Sequence, residues 1–90
     1  MIFTWDSHKA AANLKKHNID FREAATVFYD TLSTTFPDDD HSIVEQRFLT
    51  IGESARNRVL VIAHTEEGET IRIISARMAT RRERRFYEEV

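Results

Sequence analysis

Six of the thirteen Lys and Arg residues of this chain fall between Ile71 and Arg85, and all six are arginines: Arg72, Arg77, Arg81, Arg82, Arg84 and Arg85. A guanidinium keeps its charge and can hold a phosphate through two parallel hydrogen bonds, whereas an ammonium is a mobile point charge. Such a strip is suited to a polyanion. Metal-free RNA cleavage needs a base for the 2′-hydroxyl proton, an acid for the leaving 5′-oxygen, and cations for the charge of a phosphorane-like transition state. Arginine fits the last role. With no cysteine and no nucleophile elbow, the candidate proton carriers are carboxylates, four histidines and two tyrosines.

Each candidate has a bland reading beside the chemical one. Arg72 and Arg77 sit five apart and project from opposite faces of a regular strand, unless a bulge near Ser75-Ala76 re-aims the second. Either can bind phosphate, or pair with a carboxylate. Glu45 and Arg47 share one face of an expected strand, as an ion-pair ladder or as a base held by a cation. Lys9, Lys16 and His17 lie near the ends of the first helix. His17 is either a partly buried histidine on the Leu14 stripe or a general acid or base beside Lys16. Arg81 and Arg85, at i and i+4, form a phosphate-binding ridge or a solvated helix face, with Tyr87 adjacent. Glu83 is explained as the capping-box partner of Thr80. His64, in an apolar strand, is a core or a functional histidine, while His8 and His41 look exposed. The run Asp38-Asp39-Asp40-His41 lacks the spacing of an EF-hand and reads as a surface turn with at most weak affinity for a divalent ion. The expected catalytic set is Lys16, His17, Glu45, Arg47, Arg72 and Arg77, and the expected RNA contacts are Lys9, Arg81, Arg85 and Tyr87. No metal and no cofactor is expected.

These residues need elements to hold them. Ile2 to Trp5 alternates as a first strand, and Asp6 or Ser7 can cap a helix through about Lys16 with Ala10, Leu14 and His17 on one stripe. Asn18 tolerates the left-handed conformation that ends it, and Asp20 with Glu23 forms a capping pair for a second helix through about Tyr29, whose inner face is Ala24, Val27 and Phe28. Thr31 to Phe36 is a strand stopped by Pro37, followed by a loop from Asp38 to Ser42. Glu45 to Ser54, Asn57 to Glu66 and Glu69 to Arg77 then make an antiparallel meander with polar turns at Ala55-Arg56 and Glu67-Gly68. Consecutive apolar residues from Val59 to Ala63 predict a central strand covered on both faces. A last helix runs from Ala79 or Thr80 towards Glu89, with Met78, Phe86 and Val90 as its apolar positions. The fold class is α+β: an antiparallel sheet with two N-terminal helices and one C-terminal helix.

Ninety residues make one small domain, 1–90. A composition of 41% hydrophobic and 31% charged residues excludes wholesale disorder. The absence of cysteine excludes disulfides, Cys-based zinc sites and a Cys nucleophile. No apolar run approaches the roughly 18 to 20 residues of a membrane span, and no leader pattern opens the chain, so it is read as cytoplasmic. The net charge of −2 hides an asymmetry: residues 71–86 hold six basic side chains and one acidic one. A weakly acidic whole with a concentrated basic strip points to a defined anionic ligand or partner.

One family shares this arrangement. The motifs Phe3-Thr4-Trp5-Asp6, Lys9, Asn13, Lys16-His17, Phe21-Arg22-Glu23-Ala24, Glu45-Gln46-Arg47, Gly52, Arg72-Ile73-Ile74-Ser75-Ala76-Arg77, Glu83 and Tyr87 resemble, in order and spacing, the BrnT toxins, also known as the DUF497 family. The departure is Asn18, where glycine is usual. The resemblance implies a RelE-like fold and a ribonuclease toxin of a type II toxin–antitoxin system. It implies an RNA substrate and a basic, histidine-bearing site without one-to-one roles. It also implies a BrnA-type ribbon–helix–helix antitoxin, joined in a hetero-oligomer expected to be a heterotetramer, which binds operator DNA through the antitoxin. The competing reading is a non-catalytic module that acts with its antitoxin in DNA-binding autorepression.

Overall fold

Asp6 starts the first helix, accepting from the backbone N–H of His8 and Lys9 at 2.8 and 3.0 Å. Asn18 ends it at φ 57°, ψ 36°, the left-handed pocket that Asn enters at low cost. In the computed structural model, which describes residues 1–41 and 44–89, the order is β1 (Ile2–Thr4), α1 (Ser7–His17), α2 (Phe21–Thr26) and β2 (Thr34–Pro37). There follow β3 (Phe48–Glu53), β4 (Val59–Glu67), β5 (Thr70–Met78) and α3 (Arg81–Glu88). Short 3₁₀ turns, Val27–Tyr29 and Asp39–His41, extend α2 and follow β2. The fold is α+β as expected. Ser42 of the expected loop and Val90 of the last helix lie outside the described residues.

The sheet runs β1-β5-β4-β3-β2 and is antiparallel except at one edge. There β1 joins β5 in parallel, pairing Ile2 with Thr70, Phe3 with Ile71 and Thr4 with Arg72. That correction to a wholly antiparallel sheet is allowed by the connection: both helices and three strands lie between β1 and β5, whereas tight turns oblige β3, β4 and β5 to pair antiparallel. The strand boundaries move too. Two polar residues, Gly68 and Glu69, form the β4–β5 turn, with Gly68 at φ 60°, a conformation that favours glycine.

Register and burial define two faces. Leu60 and Ile62 of β4 share the first face with Ile71, Ile73 and Ala76 of β5, and Ile19, Phe21, Ala24 and Val27 cover it. Trp5 adds an edge-on contact with Phe21 at 5.9 Å, so it is a core aromatic. On the second face, Ile51, Val61 and Ala79 pack with Leu49, Val59 and Tyr87 under α3. Leu60, Val61 and Ile62 are all buried, as a central strand covered on both sides demands. Gly52 sits where α2's end crosses β3. A Cβ there would lie 2.8 Å from the Cβ of Ser33 and 2.9 Å from Val27 Cγ1, so no larger residue fits without displacement.

Glu23 does not return to cap α2. Its carboxylate, 5% exposed, is gripped by Arg58, whose Nε donates to Oε2 at 2.9 Å while a terminal nitrogen donates to Oε1, and Ser54 Oγ donates to Oε2 at 2.7 Å. Arg58 also reaches the Asn18 carbonyl at 3.2 Å, so one guanidinium ties α2, the end of α1 and the β3–β4 turn together. The pairing holds the Glu23 carboxyl below the usual carboxylate range. Replacing Glu23 by Ala is expected to cost about 2 kcal/mol, below the range for fully buried pairs because Arg58 is a quarter exposed and can rehydrate. A urea midpoint unchanged from the parent chain would contradict this.

Candidate functional site

A bulge in β5 decides where the strand arginines point. Ala63 pairs with Ser75 but His64 pairs with Ile73, so Ile74 is an extra residue and the alternation resets across it. Ile71, Ile73 and Ala76 therefore all face the helix-covered core. Arg72 and Arg77, five apart, consequently share the second face, with the bulge residues Ile74 and Ser75 between them. The bulge anticipated near Ser75-Ala76 is real, and it brings together two side chains that a regular strand would separate.

Each of these arginines has a carboxylate. Arg72 pairs with Glu45, both more than a third exposed. Arg77 is held by Glu83 through two bonds of 2.7 and 3.0 Å, an arrangement that anchors α3. Glu83 simultaneously completes a capping box, accepting from Thr80 N at 2.9 Å while its own N–H donates to Thr80 Oγ1 at 3.1 Å. Arg77 and these donors push the Glu83 carboxyl down to about 2. The Arg77 guanidinium is thus held by two bonds to a carboxylate that also caps α3, while Arg72 is held by a single bond to Glu45, which precedes β3.

Glu45 and Arg47 precede β3 instead of lying on it. Their relation is a pocket of ≈ 270 Å³ shared with Asp40, His41 and Val44. Here the His41 Nδ1 is bonded to the Asp38 carboxylate at 3.0 and 3.1 Å. Among the described residues no three His, Asp or Glu side chains form a metal-ligand group.

The other flank of the bulge meets α1. Lys9, Ala12, Asn13, Lys16, His17, Ile74 and Ser75 line a cleft of ≈ 240 Å³, so two lysines and a histidine stand against the bulge. Asn13 holds them there. Its side-chain amide donates to the Ala76 carbonyl at 3.0 Å and accepts from the Ala76 N–H at 3.0 Å, imitating a neighbouring strand at the edge of β5. The same amide donates to the Ile19 carbonyl at 3.1 Å. The buried residue of α1 is therefore Asn13, while Leu14 of the expected stripe is 46% exposed. A polar residue three positions after Ala10 was the available signal, but its partner lies sixty-three residues away. Asn13→Ala leaves three backbone groups without their partner and is expected to lower stability by about 2 kcal/mol. Guanidinium unfolding reads this directly; a midpoint equal to that of the parent would rule out the clamp.

The remaining candidates are not brought to the bulge. Tyr87 donates its hydroxyl to Asp30, and burial together with that carboxylate pushes the phenol up to about 12. Arg81 and Arg85 are exposed, on the side of α3 away from Glu83 and Tyr87. His64 is a core residue with 0% exposure. Its Nε2 is 2.7 Å from Thr50 Oγ1, which is 2.6 Å from Thr35 Oγ1. Phe28 meets its ring edge-on at 4.8 Å and Phe48 stacks at 5.9 Å.

Fold and site together define a small α+β protein in which lysines of an N-terminal helix line a cleft against the β5 bulge, and two ion-paired arginines of the last strand flank that bulge. A family model described as the ribonuclease toxin, BrnT, of type II toxin–antitoxin systems matches residues 5–83. The chain belongs to that family. The fold is similar to the crystal structure of the Brucella abortus ribonuclease toxin, BrnT, with a TM-score of 0.69 and 24% identity, covering 90% of this chain and 100% of that one. No curated protein sequence matches the chain. Among the described residues, no helix is long and apolar enough to cross a membrane.

Proposed function

We propose that the chain is an endoribonuclease toxin that cleaves RNA by metal-independent acid–base chemistry at the β5 bulge. The observation that supports this most is the bulge itself. It sets Arg72 beside Glu45 and the Arg47 pocket on one flank, and the Lys9, Lys16 and His17 cleft on the other. An RNA backbone crossing Ser75 meets positive charge on both sides. In the proposed step a base, Glu45 or His17, takes the 2′-hydroxyl proton. The 2′-oxygen then bonds to phosphorus, the bond to the 5′-oxygen breaks, and a protonated group returns a proton to that oxygen. Arg72 exchanges Glu45 for the phosphate and stabilises the charge that develops. Arg77 positions α3 and does not touch RNA. The partner that silences this activity is an antitoxin of the ribbon–helix–helix class, through which the complex would reach operator DNA.

A second reading draws on the two ion pairs: with Arg72 and Arg77 both neutralised, the face is a docking module without chemistry. One assay separates the two. Antitoxin-free protein incubated with RNA in EDTA is expected to yield fragments ending in 2′,3′-cyclic phosphate. Intact RNA at high protein concentration, with or without added Mg²⁺, rejects the enzyme; cleavage only with Mg²⁺ rejects the metal-independent step.

A further inference from the structure

On the sheet face that carries Arg72 and Arg77, a groove of ≈ 490 Å³ opens between the strands and α3. Ile51 and Val61 form its floor, Thr34 and Phe36 of β2 one wall, and Arg82, Phe86 and Glu83 of α3 the other, the Glu83 carboxylate being already paired with Arg77. Phe36 is 39% and Phe86 51% exposed, so two aromatic rings line a surface that none of the described residues covers. α3 buries none of its residues and is fastened through Glu83 and Tyr87 instead. Its charge is equally unpartnered. Arg58, Arg72 and Arg77 each hold a carboxylate, whereas Arg81, Arg82, Arg84 and Arg85 make no ion pair among the described residues. At about 100° per residue, Phe86, Arg82, Arg85 and Arg81 form one continuous arc from the groove outward.

An aliphatic floor offers an RNA backbone nothing to bind, and bare guanidinium groups beside it repel a second copy of the same surface. The combination fits an amphipathic protein segment with apolar anchors and acidic flanks. We propose that this groove is the docking site of the antitoxin. An acidic amphipathic segment sets its apolar side on Ile51, Val61, Phe36 and Phe86, and its carboxylates meet Arg82 and the arginines beyond it. The inference rests on the toxin–antitoxin reading for the identity of the partner, and it sets the docking surface next to the proposed catalytic bulge, on the same sheet face.

The test uses the full chain and, as probe, the purified protein encoded by the reading frame adjacent to its own. Phe36→Asp and Phe86→Asp change exposed positions, and Arg82→Glu reverses the wall charge; circular dichroism confirms that each variant is folded. Each is expected to weaken binding in calorimetry by about 30-fold or more, the scale of an interface hot spot, with RNA cleavage by the free chain unchanged. Unaltered affinity in all three overturns the proposal. So does loss of cleavage with affinity intact, which would give the groove to RNA, or a variant-dependent dimer-to-monomer change in sedimentation, which would give it to a second copy. If the parent chain cuts no RNA, the enzyme reading fails, while the binding titration still decides the groove.

Discussion

Arg72→Ala is expected to slow RNA cleavage about 10²- to 10³-fold while shifting stability by less than about 1 kcal/mol. The first magnitude is that of removing one preorganised donor from developing transition-state charge. The second follows from the exposure of the pair it breaks: Arg72 and Glu45 are 38% and 43% exposed, and ion pairs of that kind contribute little to folding. Arg72→Lys should recover part of the rate, since it restores the charge without the two-pronged geometry. Arg77→Ala should show the reverse pattern, because its bonds to Glu83 anchor α3: a lower melting temperature and a smaller effect on rate. Single-turnover rates and thermal melts on the same preparations decide it. If Arg72→Ala cleaves at the parental rate, the bulge is not the catalytic surface.

Acid is expected to weaken the fold well above the carboxylate range. Burial of His64 among Phe28, Phe48 and the sheet lowers its pKa from 6.5 to about 4. Its Nδ1 has no hydrogen-bond partner among the described residues, and the Glu66 carboxylate, 3.8 Å away and 43% exposed, is too far to bond it. The folded chain therefore keeps this ring neutral, while the unfolded chain protonates it near pH 6.5. The sign follows: the unfolded state binds more protons, so stability is full above pH 6.5 and falls as pH drops towards 4, by about 3 kcal/mol in all. Further loss comes lower, as Glu83 and Glu23, both with depressed pKa values, take up protons below 4.5. Urea midpoints at pH 7, 5.5 and 4.5 should trace this slope. His64→Gln should start from a lower stability at pH 7 and lose less between pH 6.5 and 4.5; a parental chain with no slope there would refute the account.

Local signals were legible where the interaction itself is local. Asp6, Asn18 and the Thr80–Glu83 box mark helix ends because their partners lie within four residues. The apolar run from Val59 to Ala63 marked the central strand for a different reason: burial on both faces leaves its trace in the strand's own residues, whichever strands flank it. What the sequence hid is carried by distant pairs. Asn13 looks like a surface residue until Ala76 supplies its partners, and Glu23 looks like a cap until Arg58 arrives from the β3–β4 turn. The extended reading of Glu45 and Arg47 failed because these residues leave the sheet to meet Arg72 and the Asp40–His41 pocket. Of the proposed site, the chemistry of the residues was readable and the bulge foreseeable. That both strand arginines are already paired was not, since that depends on Glu45 reaching Arg72 and on α3 folding back onto β5.

The parallel pairing of β1 with β5 closes a loop that takes in both N-terminal helices and the other three strands. Thr4 can find Arg72 only after everything between them has left the ribosome, and such distant closure is entropically costly and slow. The lysine-bearing helix is clamped to residue 76 in the same event. A nascent chain therefore carries its cations on separate, unjoined segments, and the proposed cutting surface comes into being only when β5 joins β1 and α1.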